Sequence, residues 1–132
     1  MRELLTFTHA LADETRWRLL RLLFDEPLCV CELADILGLP QSSASSHLQI
    51  LRQAGLLESE RRGKWIYYRV ARARRPLLRQ LSETFQAGPS NSRVLASDAA
   101  RARKRLAARA ASCCPLPKKT ISRKPSQPAP RP

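Results

Sequence analysis

The chain has 132 residues, with 24 Lys and Arg against 11 Asp and Glu, for a formal net charge of +13. That length allows one ordinary domain with a modest core plus a tail, and the charge points to a polyanionic partner, nucleic acid first. No run of 18 apolar residues and no leader-like N-terminus is present, which argues against a membrane span or a secretory signal and predicts a cytoplasmic protein. The charge is unevenly spread: residues 1–90 carry 13 basic and 10 acidic side chains, residues 91–132 carry 11 and 1. Sequence-specific recognition must therefore come from residues 1–90.

Residues 3–12 place Leu4, Phe7 and Leu11 on one helical face, and Asp13-Glu14 favours the start of a second helix through TRWRLLRLLF. In that helix Trp17, Leu20 and Phe24 form an apolar row with Leu19 and Leu23 beside it, Arg16, Arg18 and Arg21 take more polar positions, and Pro27 marks the end. Two short helical patterns follow, separated by Gly38-Leu39-Pro40, a helix-turn-helix outline. Leu33, Ile36 and Leu37 face inward from the first; Ala44, Leu48 and Leu51 face inward from the second. The opposite face of the second is small and polar, with Ser42, Ser43, Ser45, Ser46 and Gln49.

Two β-prone runs then flank Arg61-Arg62-Gly63-Lys64, with Ile66, Tyr68 and Val70 alternating against Trp65, Tyr67 and Arg69: a hairpin with a basic tip. Residues 76–86 put Leu77, Leu78, Leu81 and Phe85 on one face of a short helix that needs a partner surface. After a break at Gly88-Pro89-Ser90-Asn91, a weak stripe of Leu95, Ala99, Ala102, Leu106 and Ala110 predicts an Ala/Arg-rich helix. From Pro115 onward six prolines with Lys, Arg, Ser and Gln cannot bury enough surface to offset ordering, so disorder is expected. The predicted organisation is a domain over 1–88, a helical extension over 89–114 ending in Cys113-Cys114, and a Pro/Lys/Arg-rich tail over 115–132. The fold class is mainly α with a small β-hairpin, a winged helix-turn-helix.

In such a reader the second helix enters the major groove with its N-terminal residues at the base edges. Gln41, Ser42, Ser45, Ser46 and His47 are the candidates there, Gln41 because its amide offers a donor and an acceptor together. Arg52, Arg61, Arg62 and Lys64 are candidates for phosphate contacts. Each has a plainer reading: a Ser-rich face is often just solvated, a basic turn just soluble, and a His between polar and apolar faces is often a packing or hydrogen-bonding residue.

The runs Ala12-Asp13-Glu14-Thr15-Arg16, Leu28-Cys29-Val30-Cys31-Glu32-Leu33, Ser45-x-His47-Leu48, Leu51-Arg52-x-Ala54-Gly55-Leu56 and Gly63-Lys64-Trp65 before Tyr67-Tyr68-Arg69 resemble the ArsR/SmtB family of metal-sensing repressors, over roughly residues 8–71. The resemblance is to the arsenic-responsive type. It implies a homodimer through residues 3–12 and 76–86, binding to double-stranded operator DNA without inducer, and release when inducer binds.

In a reducing compartment Cys29, Cys31, Cys113 and Cys114 read as free thiols, metal ligands or redox groups rather than structural disulfides. Thiolates select soft ions, trivalent arsenic and antimony among them. A Cys-x-Cys pair diverges on a regular helix, so Cys29 and Cys31 converge only where the backbone departs from one. Their place after Pro27, at the entry to the reader's first helix, permits this. The arsenic-responsive box often continues to a third cysteine three residues on, where this chain has Ala34. Cys113 and Cys114, from the same or the other subunit, are the remaining candidates for the third sulfur that trivalent arsenic prefers.

The expected inducer is arsenite, with antimonite as an option and no organic cofactor. With only His9 and His47, and Glu83 alone in residues 76–86, the His-rich interfacial site of zinc and nickel sensors is excluded by count. The N-terminal cysteines of cadmium and lead sensors are also missing. Alternatives are a cysteine-based redox sensor, a cadmium- or zinc-responsive repressor on the same fold, and a structural zinc held by all four thiolates. An enzyme such as a thiol-dependent arsenate reductase is disfavoured, since no Gly-rich phosphate cradle or Cys-x-x-Cys is present.

Overall fold

A computed structural model describes residues 1–85 and 89–109. The elements run α1 (Arg2–Leu11), α2 (Glu14–Asp25), β1 (Leu28–Cys29), α3 (Val30–Leu37), α4 (Gln41–Gln53), β2 (Leu57–Arg62), β3 (Trp65–Val70), a 3-10 turn (Arg72–Arg74), α5 (Arg75–Thr84) and α6 (Pro89–Ala107). The three strands form an antiparallel sheet in the order β1-β3-β2, with Leu28 opposite Tyr68 and Ser59 opposite Tyr68 on its other side. This is the winged helix-turn-helix expected, with a third strand that the sequence pattern does not announce. Two residues are too few for a period-2 signal, and β1 is defined by what it pairs with.

Local chemistry accounts for the element ends. Asp13 caps α2 by accepting the Arg16 N–H at 3.0 Å. Gly38 ends α3 at φ +66, the left-handed conformation that favours glycine, and the Leu39 N–H closes the cap on Ala34 O at 2.9 Å. The core gathers Leu19, Leu20 and Leu23 of α2, Leu33 and Ile36 of α3, Leu48 and Leu51 of α4, and Leu56, Tyr68 and Val70 of the sheet. Trp17 and Phe24 lie at its edge.

Arg16 departs from its expected polar position. It is buried, and its guanidinium donates to Ala10 O at 2.7 Å and His9 O at 3.1 Å, closing carbonyls at the end of α1 that the helix leaves unpaired. Leu4 departs in the opposite sense: Leu4 and Leu5 of α1, with Leu77 and Phe85 at α5, are between 43% and 74% exposed. Only Phe7 and Ala10 of α1 and Leu78 of α5 are fully taken into the core.

The last described helix, α6, begins at Pro89, at the residues expected to break the chain. It packs on α2 and α3 and so belongs to the same body as the reader. Cys113, Cys114 and the 115–132 tail lie outside the described residues.

Candidate nucleic-acid interface and thiol site

The reader is built from α4 and the hairpin. Pro40 precedes α4 with no side-chain cap, so its first turn presents backbone N–H groups without a side-chain partner. Gln41, Ser42 and Ser46 are exposed along this turn, and Ser43 and Ser45 are half-buried. Ser46 donates back to Ser42 O at 3.0 Å, and Arg52 reaches Gln49 Oε1 at 3.3 Å, both within one helical turn. His47 is turned differently. Its Nδ1 lies 3.4 Å from Arg16 Nη1 and 3.9 Å from the Asp13 carboxylate, towards α2 and away from the serine face.

At the wing, Arg62 opposes Trp65 across a two-residue loop with Gly63 at φ +57, the first-position glycine of a II′ hairpin turn. Arg61 and Lys64 are exposed; Arg61 donates to Gly63 O at 2.9 Å, and Lys64 sits 5.4 Å from the Trp65 ring. Arg62 takes the other face. It is half-buried, 5.9 Å from the Tyr67 ring and 3.6 Å from the Glu60 carboxylate.

Cys29 and Cys31 form a second centre behind the reader. Cys29 is extended, the last residue of β1 and the cap of α3, whereas Cys31 already lies in the helix. The change of backbone between them turns the side chains together, and the sulfurs lie 3.0 Å apart, packed with Tyr67 and Trp65. Cys29 is unbridged and buried. Cys31 is disulfide-bonded, to a residue outside those described, so the expectation of thiols in place of bridges holds at Cys29 and not at Cys31. Among the described residues no group of three or more His, Cys, Asp or Glu side chains is arranged to hold a metal.

Sequence reasoning missed what surrounds the pair. Glu32, fully buried, accepts the Cys29 N–H at 3.1 Å, the carboxylate half of a capping box. Its two oxygens also take a fork from Arg109, Nε at 2.6 Å and Nη2 at 2.8 Å, and Arg109 donates further to Pro27 O at 3.2 Å. Burial alone would pull the Arg109 pKa down; the hydrogen bonds and charge of Glu32 outweigh it and hold the guanidinium above its ordinary value. Burial, with the Glu32 charge adding to it, pushes the Cys29 thiol up to about 12 against the opposing N–H donors. Burial also raises Tyr67, whose ring lies 5.8 Å from Arg109.

Further along α6, Asp98 forks with Arg18 at 2.8 Å for both bonds, which holds the Arg18 pKa up, and Arg105 meets Asp35 at 3.0 Å. One signal was available for this docking. Asp98 is the single acidic residue after position 90, and it is buried. Arg109 gave none, being one arginine among many.

Residues 13–59 match the family model described as bacterial regulatory protein, arsR family. The chain is 49% identical over 74 residues to the arsenic resistance transcriptional regulator ArsR1 of Pseudomonas putida, a match covering 53% of this chain and 58% of that one, less than two thirds of the relative's length. It is 31% identical over 81 residues to the cadmium resistance transcriptional regulatory protein CadC of Listeria innocua, covering 61% of this chain and 68% of that one. Among solved structures it is similar to the homodimeric winged helix-turn-helix DNA-binding domain Mb0332 of Mycobacterium bovis, a possible ArsR-family regulator, with a TM-score of 0.63 and 28% identity over 67% of this chain and 82% of that one. No described helix is long and apolar enough to cross a membrane.

Proposed function

The chain belongs to the arsR family of bacterial regulatory proteins, and from that premise we propose that it is a dimeric transcriptional repressor released from operator DNA by arsenite, with antimonite as a second inducer, bound at cysteine sulfurs. The observation that carries this reading is the 3.0 Å approach of the Cys29 and Cys31 sulfurs at the entry to α3. Trivalent arsenic as As(OH)3 condenses with thiols: each As–S bond formed replaces an As–O bond, and the thiol hydrogen leaves with the hydroxyl as water. Cys113 and Cys114 are the candidates for the third sulfur.

The position of the pair supplies a route to DNA release. Cys29 pairs with Tyr67 in the sheet and caps α3, so sulfurs drawn around an ion pull on the wing strand and on the first helix of the reader together. A typical coupling of about 1–3 kcal/mol lowers DNA affinity roughly 5- to 150-fold. Gln41, Ser42, Ser45 and Ser46 are assigned to base edges and nearby phosphates, Arg52, Arg61 and Lys64 to phosphates; His47 and Arg62 belong to the same proposed set, with their inward contacts favouring a supporting part. The exposed Leu4, Leu5, Leu77 and Phe85 support dimerisation through α1 and α5.

A second reading, a thiol–disulfide switch on the same fold, is favoured by the bridge at Cys31. One experiment separates the readings: titration of the operator complex of the reduced protein with arsenite, antimonite, cadmium and zinc, and separately with peroxide. Release by arsenite that is abolished in Cys29→Ser/Cys31→Ser supports the first reading. Release by peroxide alone supports the second, and release by cadmium alone moves the protein towards the specificity named for CadC.

A further inference from the structure

We infer that the last turn of α6 is part of the sensor, with Arg109, latched on Glu32, as the positioning residue that brings a third sulfur to Cys29 and Cys31 from the same subunit. This rests on the reading of the cysteine pair as the inducer site, and it settles on one subunit where the sequence left two.

The direction of α6 carries the argument. Its contacts with α3 descend as its own numbering rises: Arg101 donates to Ile36 O at 3.2 Å, Arg105 pairs with Asp35, and Arg109 forks on Glu32. The two helices are antiparallel, and the chain leaves α6 at the N-terminal turn of α3, where both cysteines lie. Arg109 and Cys113 are separated by four Cα steps, a reach of at most about 13–14 Å. Glu32 Oε1 is shared between Arg109 and the Cys29 N–H, so one carboxylate joins the end of α6 to the backbone of the ligand residue. Cys31 is already bridged within this single chain to a residue outside those described. A third sulfur from the same subunit therefore has a path to the pair.

Loading requires the bridge to be opened first by a low-molecular-weight thiol, which takes the two-electron oxidation and becomes its own disulfide. Three thiols and As(OH)3 then give three As–S bonds and three waters with no change of oxidation state.

The test uses reduced full-length protein with arsenite as the probe. X-ray absorption at the arsenic edge is expected to count three sulfurs in the wild type and two in Arg109→Gln, with affinity about 10- to 100-fold lower, as when a supporting hydrogen bond behind a ligand is removed. DNA affinity without arsenite should be unchanged. Glu32→Gln/Arg109→Gln repeats the measurement without leaving a lone buried carboxylate, so a folding defect in the single variant does not decide the outcome.

Oxidation with diamide, which takes up the two thiol hydrogens, reads the subunit of origin. A product of monomer mobility with a peptide linking Cys31 to Cys113 or Cys114 is expected. Covalent dimers, or three sulfurs retained in both variants, overturn the inference. Failure of the underlying reading looks different: arsenite leaves the wild type unaltered, or Cys29→Ser/Cys31→Ser still responds.

Discussion

The face of α4 with the wing tip and the junction of β1, α3 and α6 are both polar, but they are polar in opposite ways. On the first, the side chains bond to near neighbours in the chain: Ser46 to Ser42, Arg52 to Gln49, Arg61 to Gly63. These side chains remain at the surface and hold little of the fold together. At the second, Arg109 meets Glu32 across 77 positions and Arg18 meets Asp98 across 80, with both acids buried. A surface kept open for a partner spends few of its hydrogen bonds internally, whereas a buried charge needs its partner in place or the fold is destabilised. Binding and folding should therefore separate cleanly between the two regions.

The largest expected effect breaks the junction. Glu32→Ala leaves Arg109 buried without its carboxylate and the Cys29 N–H without an acceptor; unfolding in urea should show a decrease of about 3–5 kcal/mol in stability. Asp98→Ala should cost less, about 1.5–3 kcal/mol, because Arg18 is 23% exposed and can turn to water. Its signature is positional: faster hydrogen exchange in α6, with the α4 amides unaltered. A uniform increase across α4 would mean that α6 and the reader share one cooperative unit.

The same contrast explains what the sequence made legible. Helix starts, the turn at Gly38, the serine face of α4 and the hairpin loop at Gly63 all follow from residues within one or two turns of each other. Period and turn chemistry expose such features. The Cys29-x-Cys31 spacing even implied the break in helix geometry that the sulfur approach requires. Glu32 and Arg109 were invisible because neither has a neighbour in sequence that explains it, and β1 is too short to carry an alternation. The apolar stripe of α6 was visible but incomplete: Ala102 and Leu106 do pack on the core, while charge pairs with buried carboxylates tie the helix to α2 and α3.

A substitution on the reader should reverse the pattern. Gln41→Ala is expected to leave urea stability within about 0.5 kcal/mol, the usual range for an exposed site. Discrimination at the operator base it reads should fall by about 1–3 kcal/mol in competition binding with single-base variants. An equal weakening for every sequence would make Gln41 a backbone contact.

The smallest effects give the sharpest division, because it runs between two adjacent arginines. Successive strand residues face opposite ways, so Arg61 projects to solvent beside Lys64 while Arg62 turns towards Tyr67 and the thiol junction. Arg61→Ala/Lys64→Ala should lower affinity for all DNA sequences alike and reduce the slope of log affinity against log salt by about 0.9 for each phosphate no longer neutralised. Arg62→Ala should leave that slope nearly unaltered and instead lower thermal stability slightly, since its guanidinium packs on Tyr67 and pairs with Glu60. If Arg62→Ala flattens the salt slope as much as its neighbour does, its guanidinium swings out on binding DNA. The wing and the thiol junction would then exchange a residue as the repressor binds and releases.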